Sequence, residues 1–394
     1  MNWGVNMKKA ATALLAIAII CVLFGCGKSA ENPTATQPTD PLIPPKPTQQ
    51  PMYAVSVPTV TEIHKASDGT EIFSYTHQGL ILTMPEHMVA DKVILEFLNR
   101  VDAYRQNAQD LLESAINNYT PSANWQPYSY SIHYSPMRID QCLLSLFGNS
   151  VSFSGSSHPT PDCISVSYDL LTGDYLSLGS IMSAQAQRSD FAELVLQVLS
   201  EQSQDLNLRS GYEDTVRERF MREESQDQDW YFSENGLCFY FAPYDIAPYS
   251  SGIIVAEIPY TKLVGLLNDA YFPPERDASE GSICVAKWED TVLSEINQIA
   301  ELVTDIDAEA VFLYTQGLIR NVQISPCQLD SLTNQLKPLY TLHLSSVLSP
   351  GDAIMLRMDL SVQEIYRICY ESAGTIITKY IQKNSDGTIT LIDK

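Results

Sequence analysis

Two hydrophobic rhythms alternate along this chain. Strand-like alternation starts at Val55-Ser56-Val57 and resumes at Ile72-Phe73 and Leu80-Ile81-Leu82, with Asp68-Gly69 marking a turn. Past Pro85 the period lengthens: Ile94, Phe97, Leu98, Val101, Tyr104, Ala108, Leu111, Leu112, Ala115, Ile116 and Tyr119 recur every three or four positions, which predicts one long amphipathic helix. Its polar face (Asp91, Glu96, Arg100, Arg105, Asp110, Glu113) reads as solvated charge rather than a catalytic array. From Gln126 the period of two returns, and 129–134, 143–153 and 164–170 read as successive antiparallel strands. Gly155-Ser156-Ser157-His158-Pro159 joins the last two. Helices are expected at 190–201 and 212–221, strands at 237–241 and 253–258, and a short helix over 260–268.

Pro273-Pro274-Glu275-Arg276-Asp277 punctuates the pattern and marks an expected boundary between domains at 52–274 and 280–394. Beyond it lie one helical patch near 290–302, then strands at 310–314, 318–324 and 340–345. The alternation of Ile354, Leu356, Met358 and Leu360 and the runs 365–370, 376–381 and 388–392 complete the strands. The fold class predicted is α+β: an antiparallel sheet with helices packed on one side, followed by a small, mostly antiparallel β domain.

The amino end has a different character. Lys8-Lys9 lead into an apolar run over 10–24 that closes with Leu23-Phe24-Gly25-Cys26, shorter than the roughly 20 residues a spanning helix prefers. The arrangement resembles a bacterial lipoprotein signal ending in a lipobox, with Phe24 bulkier than usual. Residues 1–26 are therefore expected to be a signal peptide, with Cys26 the lipidated residue and the chain anchored on the extracytoplasmic face of the cell membrane. An uncleaved anchor helix is the plainer alternative. Met7 directly precedes the lysines and is a candidate start codon. Residues 27–51, rich in Pro, Thr and Gln, read as an extended, hydrated linker.

Charge narrows the partners. The formal net charge is −23, and removing Lys8 and Lys9 with the signal would make it −25. Such a surface repels nucleic acid and attracts cationic partners, although solubility alone also accounts for it. Cys142, Cys163, Cys238, Cys284, Cys327 and Cys369 form no CxxC pair and no zinc pattern, and are read as free thiols. A Cys142–Cys163 bond is not expected, because the two lie at different ends of the predicted hairpin. The six histidines never pair at metal spacing. His158, in its Gly/Ser/Pro loop, is a candidate for holding a metal or a partner, against a plain turn-stabilising role. There is no His-Glu-x-x-His, Gly-x-Ser-x-Gly, Walker loop, dinucleotide fingerprint or Ser-x-x-Lys, so no enzyme activity and no cofactor are expected.

One segment stands out: Phe241-Ala242-Pro243-Tyr244-Asp245-Ile246-Ala247-Pro248-Tyr249-Ser250-Ser251-Gly252, followed by Ile258-Pro259-Tyr260. Proline fixes φ, glycine supplies a reversal and tyrosine offers contact area with a polar tip, which describes either a packed structural corner or a recognition surface. The segment resembles the signature of an extracytoplasmic domain shared by the RsiV-type anti-sigma factor, whose ectodomain senses lysozyme, and the non-catalytic front half of PdaC-type peptidoglycan deacetylases. Residues 167–178 (SYDLLTGDYLSL) are similar to that family's strand, tight turn and helix entry, and the Gly155-to-His158 loop resembles its Gly-Gly-Ala-His turn with serines in the middle. The resemblance covers about residues 55–270. It departs from the anti-sigma relatives in lacking their cytoplasmic segment and spanning helix. It departs from the deacetylases because 280–394 carries no Asp-Asp pair and no His-x-x-x-His.

The resemblance implies a non-enzymatic surface lipoprotein that binds peptidoglycan, another cell-wall component or a cationic wall-attacking protein such as lysozyme. Tyr244, Pro248 and Tyr249 are the expected contacts, with His158 a further candidate. Rival readings are a peptidoglycan-modifying enzyme with a dispersed site and a structural subunit of an envelope assembly.

Overall fold

Strict alternation builds the first sheet. In Tyr128–Ile139 every second residue from Tyr128 to Tyr134 is buried, while Ser129, Ser131, His133 and Ser135 between them are only partly covered, as a strand with two differently packed faces requires. The computed structural model describes residues 50–393 except 123, 157, 203–205, 222–228, 276–278, 288–295, 331–332, 334, 359–364 and 385–387. Cys26 and the linker over 27–49 lie outside the described residues, as do Arg276, Asp277 and the start of the 290–302 patch.

The elements of the first part are β1 (Ala54–Ser56), β2 (Thr59–Lys65), β3 (Glu71–Gln78), β4 (Ile81–Thr83), α1 (His87–Ala103), α2 (Arg105–Asn118), β5 (Tyr128–Ile139), β6 (Leu143–Phe153), β7 (Thr160–Asp169), α3 (Leu178–Ile181), α4 (Arg188–Glu201), α5 (Tyr212–Met221), β8 (Trp230–Phe232), β9 (Gly236–Phe241) and β10 (Ile254–Pro259). Five strands form one sheet in the order β2-β3-β5-β6-β7. The β3–β5 pair is parallel, unlike the antiparallel neighbours predicted, because the chain leaves β3 and returns through α1 and α2. Val93, Phe97, Val101, Ala108 and Ala115 of these helices close a core on one sheet face with Tyr130, Ile132, Tyr134, Leu146 and Val166.

The single helix predicted over this stretch is two. Tyr104 N–H bonds back three residues to the Val101 carbonyl at 3.1 Å, a tightened turn that separates α1 from α2. The opposite sheet face packs on a second, three-stranded sheet, β10-β9-β8. Phe147 stacks on Tyr231 with centroids 4.4 Å apart, and the Ser165 hydroxyl donates to the Trp230 carbonyl at 2.7 Å. Helices α4 and α5 cover the outer side of that sheet, where Phe191, Val195, Val216 and Phe220 meet Phe239 and Phe241. Each sheet thus carries helices on one side, and the chain is α+β. The short helix predicted over 260–268 is instead a 3-10 turn, Tyr260–Lys262.

Beyond these come β11 (Ile283–Lys287), β12 (Gln298–Val303), β13 (Val311–Thr315), β14 (Ile319–Leu329), β15 (Leu336–Pro338), β16 (His343–Leu348), β17 (Asp352–Arg357), β18 (Ile365–Ser372), β19 (Thr375–Lys383) and β20 (Ile389–Ile392). They form a four-stranded sheet, β11-β13-β17-β12, and most of an eight-stranded one, β20-β19-β18-β14-β16-β1-β4, with β15 on β14. Among the described residues of these two sheets only β12–β17 is parallel. The end of the predicted 290–302 helix is strand β12, where alternating burial of Ala300 and Leu302 fits a pleat better than a helical face.

The predicted boundary near 274 does not separate the sheets. Strand β1, from the first part, lies between β16 and β4, with Ala54 opposite both Ser345 and Thr83. Gln49–Lys394 form one compact unit. A buried chain of hydroxyls fastens this junction. The Ser56 hydroxyl donates to the Glu301 carbonyl at 2.6 Å, so it accepts from His343 Nδ1 at 2.7 Å, and His343 Nε2 is left to accept from Ser345 at 2.7 Å. Burial pushes the His343 imidazole down to about 3, which keeps it neutral in that role.

Candidate functional site

Strands β9 and β10 close at Phe241 opposite Ile254, and everything between them is the Pro-Tyr segment. Ile246 and Ala247 at its centre are buried in the core beneath α4 and α5. Burying the middle of a loop forces its flanks outward unless they find partners. Tyr244 and Tyr249, one on each side, are 66% and 41% exposed, with ring centroids 5.5 Å apart and planes tilted by 34°. Pro248 is half-buried between them in sequence, and Tyr249–Ser251 forms one 3-10 turn that ends on Gly252 at φ +66°.

The loop is held from below by charge. Asp245 accepts from the Ala242 amide at 2.8 Å and from Arg219 at 3.0 Å. Arg219 also pairs with Asp229 at 3.0 Å, donates to the Tyr240 carbonyl at 3.2 Å and lies over the Phe241 ring. A second arginine, Arg209, donates its side chain to the Asp245 carbonyl and its amide to that of Ile246 at 2.9 Å. The Ser251 hydroxyl bonds Leu206 O at 3.2 Å. Burial raises the Asp229 carboxyl to about 6, Arg219 opposes it, and Asp245 and Asp162 add to the rise.

Tyr244 itself is strained. Its φ is +77°, the left-handed region that a bulky side chain rarely adopts. A tyrosine kept there, outward and beside a second exposed tyrosine, is a preorganised apolar surface with polar tips.

The third Pro-Tyr step has the opposite fate. Tyr260 turns inward, accepts from Arg138 Nη1 at 2.5 Å and donates to the Ser233 carbonyl at 2.9 Å. Arg138 is only 1% exposed; it pairs with Asp140 at 2.6 Å and donates to the Tyr271 carbonyl at 2.7 Å. Here the segment is a structural corner.

His158 is exposed in the β6–β7 turn, where the Ser156 hydroxyl donates to its carbonyl at 2.8 Å. Gly155, at φ +75°, brings that turn against the Tyr128 ring, which a Cβ would meet at 3.1 Å. Among the described residues no hydrogen bond or ring contact joins His158 to Tyr244 or Tyr249, and no three His, Cys, Asp or Glu converge as metal ligands. Cys142, Cys163, Cys238, Cys284, Cys327 and Cys369 are all free thiols; Cys163 faces Asn149 well along the ladder that begins next to Cys142. The hydrophobic pattern of the chain does not mark the arginine network. Its trace in the chain is a short basic stretch, with Arg209 and Arg219 accompanied by Arg217 and Arg222, just ahead of the aromatic strands of an acidic chain.

Residues 181–261 match DUF3298, a protein family of unknown function. The match runs from Ile181, the last residue of α3, through the tyrosine loop to Thr261. Two solved DUF3298 proteins are similar to the chain: one from Bacteroides fragilis NCTC 9343, at 17% identity and TM-score 0.38, covering 55% of this chain and 94% of that one; and one from Pseudomonas aeruginosa PAO1, at 15% and 0.39, covering 56% and 97%. No curated protein matches.

Proposed function

We propose that this protein is a non-enzymatic surface lipoprotein, anchored through Cys26, whose DUF3298 region binds a cationic wall-attacking protein such as lysozyme or a component of the wall itself. The observation that carries the reading is the exposed Tyr244–Tyr249 pair, held by a buried stem and a shared arginine. Rigid tyrosines lose little conformational freedom on contact and are frequent binding anchors. The net charge of −23 supports a cationic partner and predicts faster association at low salt. The resemblance to RsiV-type and PdaC-type ectodomains points to the same ligand classes.

Calorimetry of the full chain in detergent with lysozyme, at low and at physiological salt, tests this. Saturable binding at both salts, weakened at least tenfold by Tyr249→Ala, is the expected result. No binding at either salt removes lysozyme as the partner. Binding that vanishes with salt and ignores Tyr249→Ala reduces the interaction to bulk charge.

A further inference from the structure

The helix-facing side of the five-stranded sheet changes character along its length. Even-numbered positions of β6, of β7 and of β5 as far as its bulge at Pro136/Arg138 point to this side, and at one end they are core: Tyr134, Leu144, Leu146, Val166 and Tyr168 are buried together. Towards the β6–β7 turn the same positions read Ser150, Ser152, Thr160 and Asp162, where a strand buried under a helix would carry branched or aromatic residues. They are cross-strand neighbours, with Ser152 opposite both Tyr130 and Thr160, and Ser150 opposite Asp162. Period two places the four polar groups in one block beside the Tyr130 side chain.

Helix α2 faces this block with Asn107, Asp110, Leu111 and Ser114, and the space between is a cleft of about 430 Å³, within the usual size range of ligand sites. Its polar groups are already oriented. Asn107 donates to the Tyr130 hydroxyl at 3.4 Å, Gln106 holds the Asp110 carboxylate at 2.7 Å, and Asp162 accepts from the Cys163 amide at 2.9 Å. The lining has two carboxylates, an amide, several hydroxyls and one leucine, and no Lys, Arg or His. That set disfavours phosphate and other anions. Carboxylates accept hydroxyl hydrogens, and serine, threonine and amide groups both donate and accept, which is the complement of a ring bearing many hydroxyls.

We propose that the cleft between α2 and the β5–β6–β7 end of the sheet binds a saccharide, neutral or amino-substituted. The site is separate from the tyrosine surface, since neither Tyr244 nor Tyr249 lines it, and it does not depend on the lysozyme reading.

The test is titration of the full chain in detergent with tri-N-acetylglucosamine, with cellobiose, with a sulfated disaccharide and with spermidine. Saturable binding of at least one uncharged saccharide is expected, with no binding of the sulfated one. Asp162→Asn should weaken it at least tenfold, and Ser152→Leu, which fills the cleft towards Leu111, should abolish it with the melting temperature kept. Asp110→Asn, at a cleft-lining but solvent-exposed position of α2, replaces Ser152→Leu if that variant does not fold. Failure of both uncharged saccharides to bind, binding of spermidine alone, or parental affinity in the variants overturns the proposal.

Discussion

Tyr244 and Tyr260 each follow a proline and stand at opposite ends of the β9–β10 pair, and their rings meet contrary surroundings. At the inner end Arg138 is a buried cation in need of oxygen acceptors, and the Tyr260 hydroxyl supplies one while donating its own hydrogen bond to the Ser233 carbonyl. At the outer end the polar anchor is Asp245 rather than a tyrosine, so Arg219 is satisfied without the rings and both rings remain outside. The same dipeptide is fold at one end and surface at the other. What separates them is whether a buried charge nearby draws on the ring's hydroxyl.

The largest effect should come from the inner end. Arg138→Leu leaves the Asp140 carboxylate without its cation, although Asp140 still accepts from the Cys142 and Leu143 amides at 2.8 and 3.1 Å. Breaking one partner of a buried pair costs about 3–5 kcal/mol, to be read from denaturant unfolding. A loss below about 1 kcal/mol, the surface-pair range, would erase the contrast between the two ends.

The outer end has a pH signature. Because Asp229 is held near 6 in the fold, above its unfolded value, the native state keeps a proton that the unfolded chain has lost between about 4 and 6. Its contribution is therefore full below that window and lost as pH rises through 6. Asp229→Asn removes it, so the melting temperature of the parent minus that of the variant should be larger at pH 4 than at pH 7, by the equivalent of about 2 kcal/mol. A difference that is flat in pH would detach Asp229 from the loop's electrostatics.

The smallest effect is also the most telling. Tyr244→Gly relieves the φ of +77° and should stabilise the fold by about 0.5–1 kcal/mol while weakening the proposed binding of lysozyme. If it destabilises instead, the Tyr244 ring is packing and the outer end is a second corner.

Much of this was legible in the chain. Alternation at Tyr128, Tyr130, Ile132 and Tyr134 gave β5 its inward face, and the Phe191, Val195, Val198 and Leu199 stripe gave α4 its own. The Pro-Tyr segment could be singled out, but not the direction of its rings, because Arg138 lies over a hundred residues before Tyr260 and only folding brings them together. The place of β1 was hidden for the same reason. A three-residue strand carries no mark of which sheet it joins, and its neighbour β16 lies near the other end of the chain. Strand β12 was misread because a short apolar run fits either period.

That pairing has a mechanical consequence. A pull on the chain from its amino-terminal side meets the fold where Gln298 bonds the Gln50 carbonyl and the Met52 amide, and passes straight into β1. Strand β1 is hydrogen-bonded on both flanks, to β16 and to β4. Tension along its axis therefore loads both ladders in shear, all bonds at once, instead of peeling them one after another. Whatever holds the amino end therefore pulls on two ladders together rather than on one.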